Sequence, residues 1–443
     1  MTDTETVSKV TAAQDAALEL AQTTNETRSE GLRAIADAVL DHEAEILEAN
    51  ERDVAAAEEL LEAGEYSQAL VDRLKLDPTK LESIAEMVRS VADQEDPLGK
   101  TLSARELDDD LELYQVAVPI GVLGTVFESR PDALVQIAAL SLKSGNAVIL
   151  KGGSEALHSN RVLHEIIEDV TNEIAPGWVQ LIEAHEEVDT VLEMDDAIDL
   201  LMPRGSTEFV QYIQENTKIP VLGHTEGVCH VYVDDDADLE MGIDIAFDAK
   251  VQYPAVCNAV ETLLVHEDVA AEYLPDIVSR YEEAGVEVRG DEATGEIVDV
   301  KQATDADWET EYGDLIISIK VVDSLDSAID HVNTFGSKHT ESIVTEDADA
   351  AGQFMQRIDA SSVFHNASTR FADGFRYGLG AEVGISTGKI HARGPVGLKG
   401  LTTTKYYLEG DGQLVASYAG DDALPFTHEE FDGEWVPGQL SRD

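Results

Sequence analysis

Residues 119–153, "PIGVLGTVFESRPDALVQIAALSLKSGNAVILKGG", decide how the rest of the chain is read. Two runs in this stretch, "GVLGTVF" and "AVILK", are apolar throughout, and the piece between them, "PDALVQIAALSLKSGN", reads as a helix. Strands that do not alternate apolar with polar residues, and that are joined by a helix, indicate a parallel sheet covered on both faces. Just upstream, "LELYQVAVP" (111–119) is another strand, cut off from the next by a bend at Pro119 and Gly121.

Working outward, residues from about Thr11 to Val91 read as helix after helix, with apolar positions recurring at three and four. Downstream, the alternation continues through the strands "WVQLI" and "AIDLLMP", the turn "RGST" and the helix "EFVQYIQENT". A second set follows: "HVYVDD", "ETLLVH", "ISIKVVDS" and "SIVTE", with helices between them. The expectation is an α/β protein with two parallel-sheet domains, which agrees with a length of 443 residues, too long for one core. The region from about Gly384 is rich in Gly and Pro, then β-like in "TTTKYYLEG", then acidic.

Ninety Asp+Glu against thirty Lys+Arg give a formal charge of -60. The acids run along the whole chain, so they read as a surface adapted to a salty cytoplasm, where screening relieves self-repulsion. Such a charge excludes nucleic acid and anionic membranes as partners. No apolar run approaches the roughly 18 residues needed to span a bilayer, and the N-terminus lacks the basic start and apolar core of a signal peptide. Two cysteines, Cys229 and Cys257, make no disulfide framework and suit a reducing compartment. A cytoplasmic protein without a metal is expected.

Cys257 lies in "AKVQYPAVCNAVETLLVH", where a loop of small residues joins a helix to an apolar strand. Ala255 and Ala259 would let a substrate carbonyl approach a reactive thiol; a buried structural cysteine is the alternative from the residues alone. Cys229 lies on an apolar strand and reads as core. No P-loop and no G-x-G-x-x-G are present. "MPRGSTEFVQYI" offers a helix N-terminus that could meet a phosphate, or an ordinary capped helix. Lys151 ends a strand and could reach a phosphate or ribose, or simply lie exposed. Arg370, Arg376, Lys389, Arg393 and Lys399 gather within thirty residues of a base-poor chain, which points to a carboxylate or phosphate, with local salt bridges as the alternative.

Taken in order, "PIGVLGTVFESRPDALVQIAALSLKSGNAVILKGGSEALHSN", "MPRGST", "VYVDDDADLE", "VQYPAVCNAVETLLVH" and "NASTRFADGFRYGLGAEVGISTGKIHARGPVGLKGLTTTKY" resemble the γ-glutamyl phosphate reductases of the aldehyde dehydrogenase superfamily. The likeness runs from about Thr11 to Gly412. It implies an aldehyde dehydrogenase-like fold of two Rossmann-like parallel-sheet domains plus a small β oligomerisation element. The implied division is 1-105 and 121-230 for the NADPH-binding domain, 231-400 for the catalytic domain, 106-120 and 401-425 for the oligomerisation element, and 426-443 for an acidic tail. It also implies NADPH-dependent reduction of L-glutamyl 5-phosphate to glutamate 5-semialdehyde in proline synthesis. Its further implications are a homo-oligomer and a relation to the glutamate kinase that acts before it.

By the same resemblance Cys257 is the nucleophile, with Asn258 beside it in the catalytic set. Ser129 and the backbone N–H at the cysteine would hold the developing oxyanion. Lys151, Gly205, Ser206 and Glu311 would hold the cofactor. Arg130, Ser368, Arg370 and Arg393 would hold the substrate's carboxylate or phosphate. Hydrolytic members activate water with a glutamate, and Gly223 stands at the expected place here, with Glu226 in another register. Tyr253 stands where the family pattern has Arg, and Asp132 where it has Asn. A hydrolytic semialdehyde dehydrogenase is the competing enzyme reading, and a catalytically silent binding or structural protein is the competing reading of another class. Dependence of the oxidative reaction on inorganic phosphate separates the two enzymes.

Overall fold

A computed structural model of the chain describes residues 2–183, 186–205, 207–223 and 226–437. Five helices open it: Thr2–Leu20, Asn25–Asp41, Glu43–Glu62, Gln68–Leu74 and Pro78–Asp93. Three of these begin on a side-chain cap, from Thr24, Ser67 and Asp77, each accepting a backbone N–H from the first turn. Then come β1 (Thr101–Asp108) and β2 (Leu111–Pro119), an antiparallel pair.

The bend at Pro119–Gly121 turns the chain into the first parallel sheet. Gly121 has φ +136°, and a Cβ there would lie 2.2 Å from an Asp199 oxygen that accepts the Val122 N–H. Only glycine fits so close a corner. The sheet contains β3 (Val122–Phe127), β4 (Ala147–Gly152), β5 (Val179–Ile182) and β6 (Leu200–Arg204), in the order β5-β4-β3-β6, all parallel. Every residue of β3 and β4 is buried, as the unbroken apolar runs require, and the helix Pro131–Lys143 joins the two strands. The chain winds from β3 outward to β5 and returns with β6 on the other side of β3. The switch point therefore lies between the carboxyl ends of β3 and β6, where open α/β sheets hold ligands.

The second parallel sheet has seven strands: β7 (Cys229–Val233), β8 (Val260–His266), β9 (Glu287–Gly290), β10 (Lys301–Gln302), β11 (Ile316–Val322), β12 (Thr340–Val344) and β13 (Ser362–His365). Their order is β10-β9-β11-β8-β7-β12-β13. Separate apolar cores cover this sheet, one including Tyr273, Leu274 and Ile277 of the helix Glu267–Glu283, the other including Ile329, Val332 and Phe354. A short pair, β14 (Ile385–Ser386) and β15 (Gly394–Pro395), follows. Finally β16 (Thr402–Glu409) pairs along the whole of β2, and β17 (Glu429–Glu430), within the acidic C-terminal stretch, pairs with β1. The resulting four-stranded antiparallel sheet, β16-β2-β1-β17, leaves β16 as an exposed edge with Tyr406 and Leu408 in solvent. The two families of sheet match the α/β reading, and the antiparallel one is stapled by Tyr407 stacked on Trp435 with ring centres 3.8 Å apart.

Candidate active site

A cavity of about 640 Å³ opens where the carboxyl ends of β3 and β6 face the loop that leads into β8. Its walls include Glu128, Ser129 and Arg130 after β3, Arg204 and Gly205 at the end of β6, and Tyr253, Ala255, Val256, Cys257 and Asn258 before β8. The carboxyl edge of the first sheet thus meets the amino edge of the second. For the second sheet this departs from the usual rule that open α/β folds bind at carboxyl ends.

Cys257 is half-buried in this wall. The helix Leu239–Val251 stops shortly before Pro254, and a turn from Ala259 N–H to the Val256 carbonyl (2.9 Å) presents the sulfur. The loop is pressed from behind by Gly227, where a Cβ would fall 2.0 Å from the Cys257 carbonyl oxygen. Cys229, at the start of β7, points its thiol at that same carbonyl, 3.2 Å away. Burial first, then the charges of Glu311 and Glu382, push the Cys257 thiol up to about 12, while Arg204 and its own backbone N–H draw it down. A thiol in that state needs help to ionise, and the nearby cation supplies part of it.

The structure places the sequence-derived residues unevenly. Cys257, Asn258, Ser129, Gly205, Glu311, Arg130 and Arg370 share the cavity wall. Asn258 spends its amide on the Ala372 carbonyl (2.8 Å), tying the thiol loop to the segment that carries Arg370. Ser129 has φ +51°, and both its N–H and its hydroxyl donate to Glu155 (2.6 and 2.9 Å), so its one hydroxyl proton is engaged. Glu311 accepts the Gly227 N–H at 3.0 Å, and burial raises its carboxyl above the ordinary range. Arg370 is 7% exposed, donates its Nε–H to Gln252 (3.0 Å), and has its charge disfavoured chiefly by burial.

Three others lie elsewhere. Lys151 is buried and donates to the Gly152 carbonyl at 2.6 Å; burial lowers its affinity for a proton, against the opposing pull of Glu155, Glu187 and Glu183. Ser368 caps the short turn Thr369–Phe371 by accepting the Arg370 N–H (3.3 Å), so it shapes the arginine's loop rather than the cavity wall. Arg393 pairs with Asp359 at 2.9 Å, and Lys389 joins the same carboxylate at 2.8 Å. Ser206 lies outside the described residues.

Sequence reasoning missed Arg204, Glu382, Glu128, Asp373 and Arg73, all in the wall. Glu382 is pushed up to about 7, mostly by burial, with Arg204 acting the other way, and it accepts the Gly374 N–H at 2.8 Å. A signal for Arg204 was present: a guanidinium closing the apolar run "LLMPR" has no apolar role. Arg73 sits in an ordinary amphipathic helical stretch and carried no signal.

The model of the aldehyde dehydrogenase family matches residues 1–307. A γ-glutamyl phosphate reductase of Natronomonas pharaonis is 76% identical over 439 residues, covering 99% of this chain and 100% of the relative. One of Haloquadratum walsbyi is 69% identical, covering 96% and 95%. The crystal structure of the γ-glutamyl phosphate reductase of Thermotoga maritima superposes with a TM-score of 0.89 at 41% identity, covering 93% of this chain and 99% of that one. The chain belongs to the aldehyde dehydrogenase family and, within it, to the γ-glutamyl phosphate reductases.

Proposed function

We propose that this chain reduces L-glutamyl 5-phosphate to L-glutamate 5-semialdehyde and phosphate, with NADPH as reductant and Cys257 as nucleophile, in proline biosynthesis. The observation that carries the reading is the half-buried Cys257 thiol in one cavity with Arg130, Arg204 and Arg370. A nucleophile surrounded by guanidinium groups suits an anionic acyl donor.

The Cys257 sulfur attacks the acyl carbon, a C–S bond forms, and the C–O bond to phosphate breaks with its electron pair leaving on the phosphate oxygen. The backbone N–H at Cys257 holds the oxyanion, and Asn258 keeps the loop in place through Ala372. Ser129, its proton held by Glu155, orders the loop after β3 rather than donating to the oxyanion. A nicotinamide dinucleotide, when bound, supplies the hydride. The cavity fits its reactive end. Glu311 uses one carboxylate oxygen on Gly227, leaving the other for ribose hydroxyls, and Gly205 and Gly223 present bare backbone beside it. A Cβ at Gly205 would come within 2.9 Å of the Glu128 carboxyl carbon, so a larger residue would close that cradle. Collapse of the reduced adduct returns the pair of the C–S bond to sulfur and releases the aldehyde. Gly223 offers no carboxylate to activate water, which favours phosphate over water as the group exchanged with the thioester.

Phosphate-dependent reduction of NADP by the purified protein with glutamate semialdehyde tests this. Loss of that activity in Cys257→Ala supports it; oxidation indifferent to phosphate would favour the hydrolytic alternative. The exposed edge β16 is the natural seam for a homo-oligomer. The charge of -60 suits a cell interior rich in salt, and a melting point that does not rise with KCl would reject that part of the reading.

A further inference from the structure

Arg204 is anomalous for this chain. Acids outnumber bases ninety to thirty, yet no carboxylate lies within ion-pair distance of its guanidinium among the described residues. Its Nη1 is buried and has no hydrogen-bond partner among them. Other buried cations are held by their surroundings: Arg28 pairs with Asp96 at 2.8 Å, although its Nε has no partner among the described residues, Lys250 pairs with Glu261 at 2.6 Å, and Lys143 bonds Asn25, Ser29 and the Ala92 carbonyl, each at 2.8 Å. A buried donor on a charged group, left without a partner, costs free energy that the fold alone does not recover.

The position of Arg204 is nevertheless well fixed. Its carbonyl accepts the Glu128 N–H (3.2 Å), which pins the end of β6 to the end of β3 at the switch point. Its side chain runs beside Gly384, where a Cβ would meet Nε, Cδ and Cγ at 3.6–3.9 Å. Burial is the main effect disfavouring its charge and Arg130 is the next, while Glu382 and Asp132, beyond ion-pair distance, act the other way. Two guanidiniums held near each other in a closed wall repel, and an anion of about two charges relieves both.

We propose, resting on the acyl phosphate reading above, that Arg204 together with Arg130 is the site of the transferred phosphate. The geometry of the substrate selects phosphate over the α-carboxylate. During attack the acyl carbon comes to about 3–3.5 Å from the sulfur. The phosphorus hangs from that carbon through one oxygen, whereas three carbons separate the acyl carbon from the carboxylate. Arg204 and Cys257 line the same cavity, and the guanidinium is close enough to draw the thiol down. In the forward direction it takes the electron pair's new charge on the departing oxygen. In the reverse direction it places inorganic phosphate against the thioester.

The test is the oxidative reaction with glutamate semialdehyde, NADP and varied inorganic phosphate. Arg204→Gln should raise the KM for phosphate by about ten- to a hundredfold, the worth of one charge-assisted contact. The KM for the semialdehyde should stay nearly constant, and Arg204→Lys should recover part of the loss. An unchanged phosphate KM in Arg204→Gln overturns the proposal while leaving the reaction intact; a wild-type protein that needs no phosphate overturns the reaction itself. If Arg204→Gln does not fold, protection of Cys257 from iodoacetamide by inorganic phosphate is measured in wild type and Arg204→Lys. A weaker protection in the variant supports the assignment, and equal protection overturns it.

Discussion

The two cysteines of this chain are near neighbours with opposite fates. Cys229 opens β7, fully buried, and donates its thiol proton to the Cys257 carbonyl; burial holds that proton far more tightly than in water. Cys257 precedes β8 and is turned into a cavity by a loop of small residues. Chemistry here is a matter of partners: the sulfur with a satisfied bond packs in the core, and the one left facing open space and a cation is the nucleophile we propose. The basic cluster repeats the contrast. Lys389 and Arg393 spend their charge on Asp359, whereas Arg370 keeps part of its guanidinium for the cavity.

The largest expected effect breaks the thiol comparison directly. Cys257→Ala should lower kcat by at least about a thousandfold, because the proposed thioester needs that sulfur. Cys229→Ala should retain activity within about tenfold and lose roughly 1–2 kcal/mol of stability, through a small cavity and a lost bond to the loop. Steady-state rates and thermal melts on both variants check this. Equal losses of activity would mean that the two sulfurs act together.

A second pair tests the arginines. Arg370→Gln should raise the KM for the glutamyl substrate by about tenfold or more, with Arg393→Gln within about twofold of wild type. The reverse ranking would return Arg393 to the substrate and remove its role as a brace on Asp359.

Much of this was legible from residues. The unbroken apolar runs of β3 and β4 could be nothing but strands covered on both faces, and Pro119 and Gly121 marked the bend between sheets. The loop before β8 was legible too, from the small residues Ala255 and Ala259, whereas the residues alone favoured a buried structural Cys257 and only the family resemblance turned that reading to a nucleophile. What was not legible depends on distances across the fold. No spacing in sequence reveals that Asp359 reaches Arg393 and Lys389, or that Glu155 takes the Ser129 proton, since those partners are 34, 30 and 26 residues away respectively. Arg204 and Glu382 stand 178 positions apart, and only packing brings them to one wall. The strand β17 was hidden for a related reason: its pairing with β1 sets Glu430 opposite Arg105, an ion pair of 2.7 Å between residues 325 positions apart in the sequence.

The smallest effect sharpens the thiol comparison at its electrostatic root. Burial and the carboxylates of Glu311 and Glu382 hold the Cys257 proton on, so removing one negative charge must lower the thiol's pKa and increase the thiolate fraction at a given pH. Glu311→Gln is the clean probe, because a side-chain amide oxygen can still accept the Gly227 N–H. At pH 8 its Cys257 should be alkylated by iodoacetamide roughly three- to tenfold faster than wild type, a shift of about half to one pKa unit. The gain should shrink as pH falls, since burial raises the Glu311 carboxyl and protonation erases the charge being removed. Mass spectrometry should find the label on Cys257 and none on Cys229 in either protein. Should the variant react more slowly at every pH, the charge of Glu311 would not be what restrains the thiol, and the cavity's control over it would have to come from burial and Glu382.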